Sequence, residues 1–305
     1  MNPPSIYRGR FAPSPTGPLH FGSLVAAVAS YLEAKSRDGE WLVRIENIDP
    51  AREIPGSSKE ILNTLEALGM GWDSKIVYQS RRNKAYEDAL NLLEERDLIY
   101  PCVCSRKEIA DSSITGIEGP IYPGTCRGSP LHETNCSAWR IRTDNNLIEF
   151  RDTLRGRVRQ RLESDIGDFV LRRADGIFAY QLAVVVDDAQ QGITHVVRGE
   201  DLLNSTTRQI YLQRLLGYQT PAYMHLPVVV NARGEKLSKQ THAAPVGTSE
   251  AVSQLITAMR FLGQTPPAEL MEGNVASFWK WAIKNWKPET IPLKNVTLSP
   301  VAREF

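Results

Sequence analysis

The sequence predicts an α/β protein built on a parallel sheet with a short helical C-terminal subdomain. Three observations carry that expectation. Over the first hundred residues, short apolar strand-like runs alternate with amphipathic helical patterns. From Pro101 to about residue 135 the chain turns rich in Cys, Gly, Pro and Ser and loses periodicity, so 101–165 reads as an insertion. Beyond Ser249 the pattern is helical again, with Val252, Leu255, Ile256, Met259 and Leu262 in register.

Taken in order, Tyr7 to Ala12 reads as a strand broken by Pro13 and Pro15. Gly22 opens an Ala-rich helix with Leu24, Val25, Val28, Tyr31 and Leu32 on its apolar stripe, stopped at Gly39. Trp41 to Ile45 is a second buried strand. Ser57 and Glu60 have the spacing of a capping box and predict a helix through Ile61, Leu62, Leu65 and Leu68 to Gly69. Ser80 to Asp97 predicts a further helix, with Tyr86, Leu90 and Leu93 on one face. Ala138 to Arg142 and Leu147 to Arg151 read as antiparallel strands. Asp168 to Leu171 and Leu182 to Val186 have sheet texture. Ser205 to Leu216 reads as a helix closed by Gly217, and Leu226 to Val230 as a late strand before a basic loop. The division expected is 1–100 and 166–217 for the two halves of the sheet domain, 101–165 for the insertion, and 218–305 for the loop and helical end.

Composition narrows the function classes. With 305 residues the chain buries a sizeable core. Apolar residues at 42% and charged residues at 23% exclude disorder as the main state. A net charge of +1 excludes nucleic-acid binding through bulk positive charge and leaves only a local patch. No apolar run approaches the ~20 residues that span a bilayer, and Met1 to Arg10 lacks the apolar core of a signal peptide. The expectation is a cytoplasmic protein without membrane partners, read as a monomer. Four cysteines are too few for a disulfide framework, and clustered thiols in a reducing compartment point to metal.

Two segments carry candidate chemistry. Arg10-Phe11-Ala12-Pro13-Ser14-Pro15-Thr16-Gly17-Pro18-Leu19-His20-Phe21-Gly22-Ser23 leaves a strand, turns stiffly and enters a helix. Such a turn sets backbone N–H groups and a positive dipole end at the edge of a parallel sheet, an anion site. His20 is a phosphate donor there, and Gly22 lets a flat ring lie on bare backbone. In Lys236-Leu237-Ser238-Lys239-Gln240, two lysines three apart reach a polyphosphate together. Taken singly, each segment also reads as an ordinary strand–turn–helix or a solvated loop.

Together they resemble the HIGH region and the KMSKS loop of the class I aminoacyl-tRNA synthetases. The turn before His20 is similar to the glutamyl branch in particular. The similarity continues through Trp41-Leu42-Val43-Arg44-Ile45-Glu46, Phe178-Ala179-Tyr180-Gln181-Leu182-Ala183-Val184-Val185-Val186-Asp187-Asp188 and Thr194-His195-Val196-Val197-Arg198-Gly199-Glu200-Asp201. It spans roughly residues 7–245. Departures are Phe21 and Ser23 within the HIGH site, Leu237 and Gln240 in the loop, and Asn47 where the family has Asp.

The resemblance implies a Rossmann-type catalytic domain of the class I synthetases. It assigns glutamate binding to Arg10, Phe11, Ala12, Pro13, Ser14, Glu46, Tyr180 and Arg198. It assigns ATP to His20, Gly22 and Lys239, and catalysis to His20, Lys236 and Lys239, with Mg2+ accompanying ATP. Two guanidiniums suit bidentate carboxylate binding and disfavour the amide of glutamine. The same residues admit plainer roles: Glu46 as partner of Arg44, Arg198 as partner of Glu200 or Asp201, and Tyr180 as core.

Cys102-Val103-Cys104 with Cys126 suits one structural zinc, which needs a fourth ligand. Chemistry alone offers His132 or Cys136, whereas the resemblance points to Tyr122. Arg155, Arg157, Arg159 and Arg161 alternate, so on a strand they form either a row that follows a phosphate backbone or a charged edge. Only about 65 residues follow Lys239, which fits a small helical subdomain and no anticodon-binding domain. The chain therefore resembles the truncated, queuosine-directed branch of the family. That branch implies tRNA-independent activation of L-glutamate with ATP and its transfer to queuosine at the wobble position of tRNA(Asp). Charging of tRNA(Glu), or non-catalytic binding of glutamate or tRNA, are the alternatives.

Overall fold

A computed structural model describes residues 6–297 apart from 114, 117–118, 129–136, 231–244 and 248. β1 (Arg8–Phe11) runs through the Pro-stiffened turn into α1 (Phe21–Lys35). β2 (Glu40–Ile45), α2 (Ser57–Ala67), β3 (Val77–Tyr78) and α3 (Asn83–Glu94) follow. β1, β2 and β3 pair in parallel, with Arg10 opposite Leu42 and Ile45 opposite Tyr78, as the alternating pattern predicts.

The next stretch holds β4 (Ile99–Cys102), α4 (Arg106–Ser112), the two-residue strands β5 (Thr115–Gly116) and β6 (Gly119–Pro120), β7 (Ala138–Ile141), β8 (Leu147–Asp152), β9 (Gly156–Arg161) and α5 (Leu162–Asp165). Then come β10 (Val170–Arg172), α6 (Tyr180–Gln190), β11 (His195–Gly199), α7 (Leu203–Leu216), β12 (Ala222–Leu226) and β13 (Val229–Val230). The chain ends in α8 (Ala251–Phe261), α9 (Val275–Asn285) and β14 (Val296–Thr297).

β11 and β12 pair in parallel, β8 joins β12 in parallel, and β9 closes that sheet antiparallel to β8. The amide of Thr194 donates to the Arg8 carbonyl at 3.0 Å, which sets β11 alongside β1. β1 thus lies between β2 and β11, and the chain order reverses at this strand. A crevice opens at the C-terminal strand ends of such a switch point. One apolar core packs α1 between the sheet and the C-terminal helices. The indole N–H groups of Trp279 and Trp286 fasten those helices by donating to the Leu68 carbonyl at 2.8 Å and to Glu33 at 2.7 Å. A second core lies around α3, α6 and α7.

Four expectations need correction. Leu182–Val186 is helix, not strand: all five residues are buried, because α6 is enclosed on every side there. β7 and β8 do not pair with each other; β7 lies between β4 and β10. Ser57 does not cap α2. Gly56 is the cap, at φ 84°, and the Ser57 hydroxyl accepts from the Gly17 amide at 2.8 Å, tying α2 to the turn after β1. The helix expected over Ser80 to Asp97 begins as a 3-10 turn at Gln79–Arg81 and becomes α-helical only at Asn83.

The arginine row is also shorter than the alternation implies. Arg155 precedes β9 and pairs with Glu200, while Arg157 and Arg159 both pair with Glu149 of β8, at 2.8 and 2.6 Å. Those two pairings hold the Glu149 carboxyl below its ordinary value, and the row is partly neutralised from its own sheet. Among the described residues no helix is long and apolar enough to cross a membrane.

Candidate active site

The crevice is a cleft of about 1270 Å³ at the ends of β1, β2 and β11. It collects Arg10, Phe11, Ala12, Pro13, Ser14, His20, Gly22, Glu46, Tyr180 and Arg198, all the expected glutamate and ATP residues except Lys239. Lys236 and Lys239 lie outside the described residues, as do His132 and Cys136.

His20 is the N-cap of α1. Its Nδ1 accepts from the Ser23 amide at 3.3 Å, so the proton resides on Nε2, 3.1 Å from the Ser23 hydroxyl. The ring is thereby fixed as a donor at the positive end of a helix whose first turn carries no acidic residue. Pro245 forms an isolated antiparallel backbone bridge with His20.

The two arginines sit in different electrostatic surroundings. Arg10, 3% exposed, directs Nε at Asp188 Oδ1 and Oδ2, at 3.2 and 3.4 Å. Asp188 is shared with Arg44, which is fully buried and reaches it at 2.8 Å. The two guanidiniums hold the Asp188 carboxyl below its usual range despite burial. Arg44 also reaches Glu46 at 3.3 Å. Burial pushes the Glu46 carboxyl up, and Arg44 and Arg10 oppose that shift. Glu46 thus pairs with Arg44, the plainer role noted for it, while still facing the cleft.

Arg198 pairs with neither Glu200 nor Asp201 through its side-chain hydrogen bonds. Its Nε donates to His225 Nε2 at 3.1 Å. Nη1 donates to the Tyr180 hydroxyl at 3.3 Å. Nη2 donates to Thr206 Oγ1 at 2.9 Å, Gln209 Oε1 at 2.8 Å and the Leu202 carbonyl at 3.3 Å. Every acceptor is neutral, so a guanidinium only 6% exposed has no carboxylate among its direct hydrogen-bond partners. A carboxylate is the ligand that this arrangement favours. Sequence reasoning missed Asp188, Arg44, His225 and Asp152. The first two stood in quoted segments as charged neighbours of assigned residues, whereas nothing local marked the last two.

The cysteine cluster lies apart from the cleft. The sulfurs of Cys102, Cys104 and Cys126 all lie within 4.8 Å of one another, with Cys104 and Cys126 at 3.4 Å. The Tyr122 hydroxyl oxygen is 3.3 Å from Cys102 Sγ and 3.6 Å from Cys104 Sγ, and accepts from the Cys126 amide at 2.8 Å. Ligands on a zinc tetrahedron with bonds of ~2.0–2.3 Å stand about 3.5–3.8 Å apart, so three thiols and this phenol fit one such ion. Burial pushes the Cys104 thiol up to about 11, a cost that a bound dication offsets.

Comparison with known proteins identifies the family. Residues 7–262 match the family of tRNA synthetases class I (E and Q), catalytic domain. The chain is 56% identical over 302 residues to the glutamyl-Q tRNA(Asp) synthetase of Dechloromonas aromatica, covering 98% of this chain and 100% of that protein. It is 53% identical over 288 residues to the corresponding protein of Chromobacterium violaceum, covering 94% and 96%. The crystal structure of the glutamate–tRNA synthetase from Elizabethkingia anophelis shares the fold with a TM-score of 0.81 at 24% identity, over 98% of this chain and 69% of that one. A cleft of this make-up and near-full-length identity above one half lead to one assignment: the chain belongs to the class I (E and Q) tRNA synthetases and, within them, to the glutamyl-Q tRNA(Asp) synthetases.

Proposed function

We propose that the protein activates L-glutamate with ATP to glutamyl-adenylate without tRNA, then transfers the glutamyl group to queuosine at the wobble position of tRNA(Asp). The observation that carries the reading is the pairing of a charge-matched arginine, Arg10, with an unmatched one, Arg198, in the cleft that also holds the capped N terminus of α1. Arg198, with Tyr180 beside it, receives one carboxylate of glutamate. Arg10, through its remaining Nη donors, receives the other. Glu46, beside Ser14, accepts from the ammonium.

The bound carboxylate oxygen attacks the α-phosphorus, and the bond to the pyrophosphate oxygen breaks. The Nε2–H of His20 and the first turn of α1 stabilise the negative charge that develops. Lys236 and Lys239 take the pyrophosphate in this reading. Mg2+ arriving with ATP supplies further charge neutralisation. A ring hydroxyl of queuosine then attacks the activated carbonyl and AMP leaves, so no nucleophilic side chain is needed. Cys102, Cys104, Tyr122 and Cys126 hold one structural zinc. The protein acts as a monomer in the cytoplasm.

The test offers ATP and labelled glutamate with queuosine-containing tRNA(Asp), the same tRNA lacking queuosine, and tRNA(Glu). Label only on the first, surviving periodate treatment of the 3′ end, is the expected result. Periodate-sensitive label on tRNA(Glu) would replace this reading with 3′-end charging. Absence of glutamate-dependent ATP–pyrophosphate exchange would replace it with a binding role.

A further inference from the structure

Behind the cleft wall, Arg198 rests on a buried pair that touches no part of the cleft. His225 on β12 and Asp152 at the end of β8 are both 0% exposed. His225 Nδ1 lies 2.6 Å from Asp152 Oδ2, and His225 Nε2 faces Arg198 Nε at 3.1 Å and Thr206 Oγ1 at 3.1 Å. Only one protonation state satisfies these contacts. With the proton on Nδ1, the ring donates to the carboxylate and its bare Nε2 accepts from Arg198, while the Thr206 hydroxyl beside it donates to the Leu202 carbonyl. With the proton on Nε2, two N–H groups face each other at Arg198, and a bare Nδ1 meets a carboxylate oxygen. An imidazolium places the same N–H against Arg198. Burial holds the ring below its ordinary pKa, in accord with the neutral form.

We propose that Asp152 and His225 are positioning residues for glutamate recognition: Asp152 fixes the Nδ1–H tautomer of His225, and His225 thereby holds the guanidinium of Arg198 in the orientation that receives a glutamate carboxylate. This rests on the assignment of the cleft to glutamate. Asp152 supplies at one remove the negative charge that Arg198 lacks among its direct partners. Through the neutral ring it orients the guanidinium without filling its cleft-facing positions. An acid in direct contact would compete with the substrate for them.

The carboxylate also sets up a sharp test. Asp152 Oδ1 accepts from the backbone amides of Leu154 at 3.0 Å and Arg155 at 2.9 Å. In Asp152→Asn the amide oxygen keeps that position, so the NH2 points at His225 Nδ1 and forces the proton to Nε2, against Arg198. The variant is nearly isosteric. It is expected to raise KM for glutamate in ATP–pyrophosphate exchange at least about tenfold, with KM for ATP within about twofold. Nitrogen NMR of labelled histidine is expected to move the proton of His225 from Nδ1 to Nε2.

His225→Gln carries a carbonyl oxygen able to stand in for Nε2 whatever Asp152 does. Adding Asp152→Asn to it is then expected to change KM for glutamate less than about threefold. If Asp152→Asn melts below the assay temperature, His225→Leu compared with His225→Gln makes the same contrast. An unchanged glutamate KM in Asp152→Asn, or equal losses in the presence and absence of His225→Gln, would overturn the proposal. Wild-type protein without glutamate-dependent exchange would instead overturn the assignment of the cleft, and the proposal with it.

Discussion

Asp188 stands 3.2 Å from the Nε of Arg10, whereas its side chain makes no hydrogen bond to Arg198, the other arginine of the cleft. Two guanidiniums facing one cavity therefore differ in their partners: a carboxylate bonds Arg10 directly, and only neutral acceptors bond Arg198. Arg198→Lys keeps the charge but loses the planar fork that bonds His225, Tyr180, Thr206 and Gln209 together. A charge-assisted hydrogen bond is worth about 1.5–3 kcal/mol, so KM for glutamate is expected to rise about 10- to 100-fold. In Arg10→Lys, Asp188 retains Arg44 at 2.8 Å, and the loss is expected to be smaller. Steady-state exchange kinetics on the two variants check the order.

Glu46 has two partners to serve, and one substitution separates them. Glu46→Gln removes the acceptor for an ammonium while Arg44 keeps Asp188 at 2.8 Å and Gln191 at 2.7 Å. KM for glutamate is expected to rise at least about tenfold with the melting temperature nearly unchanged. The reverse pattern, an unchanged KM with a clear loss of stability, would make Glu46 only a partner of Arg44.

Much of this cleft was legible in the sequence because its residues sit in segments that leave strands. Arg10 lies next to the last residue of β1, Glu46 follows β2, and Arg198 lies in β11. What supports them was not legible, because it is assembled across the sheet. Asp152 reaches His225 only since β8 joins β12, a pairing that no local pattern encodes. The strand reading of Leu182–Val186 failed for a different reason. A run buried on all sides has no polar face, so its periodicity cannot separate strand from helix. The Ser57–Glu60 spacing matched a capping box by composition, yet the hydroxyl serves a tertiary partner, the amide of Gly17.

The cysteine cluster predicts a measurable metal. Elemental analysis of protein purified without chelator is expected to give about one zinc per chain. Chelation is expected to lower the melting temperature. None of Cys102, Cys104, Tyr122 and Cys126 lines the cleft, so glutamate-dependent exchange at low temperature is expected to stay within about twofold. Tyr122→Phe removes the phenol oxygen that stands 3.3 Å from Cys102 Sγ and is expected to lose zinc to a chelator more readily than the parent. Equal retention by both proteins would move the fourth ligand elsewhere.

Stability is expected to depend on pH in a way that the buried pair sets. His225 is held below its ordinary value of 6.5 by burial and by Arg198, with Asp152 opposing. The unfolded chain therefore binds a proton below about pH 6.5 that the folded chain refuses, and stability falls as pH drops from there toward the folded value. Asp152 is depressed by its bonds to His225 and to the Arg155 and Leu154 amides, which outweigh burial. Its contribution is complete above the ordinary aspartate value of 3.8 and is lost below it, as the carboxylate takes up a proton. Denaturant midpoints are therefore expected to be flat above about pH 7, to decline through the histidine range, and to decline again near the carboxylate range. His225→Gln is expected to shrink the first decline and leave the second. A residue of the first step persists through His195, whose pKa burial and Arg37 also lower. An identical pH profile in parent and variant would place the protonation that limits stability outside this pair.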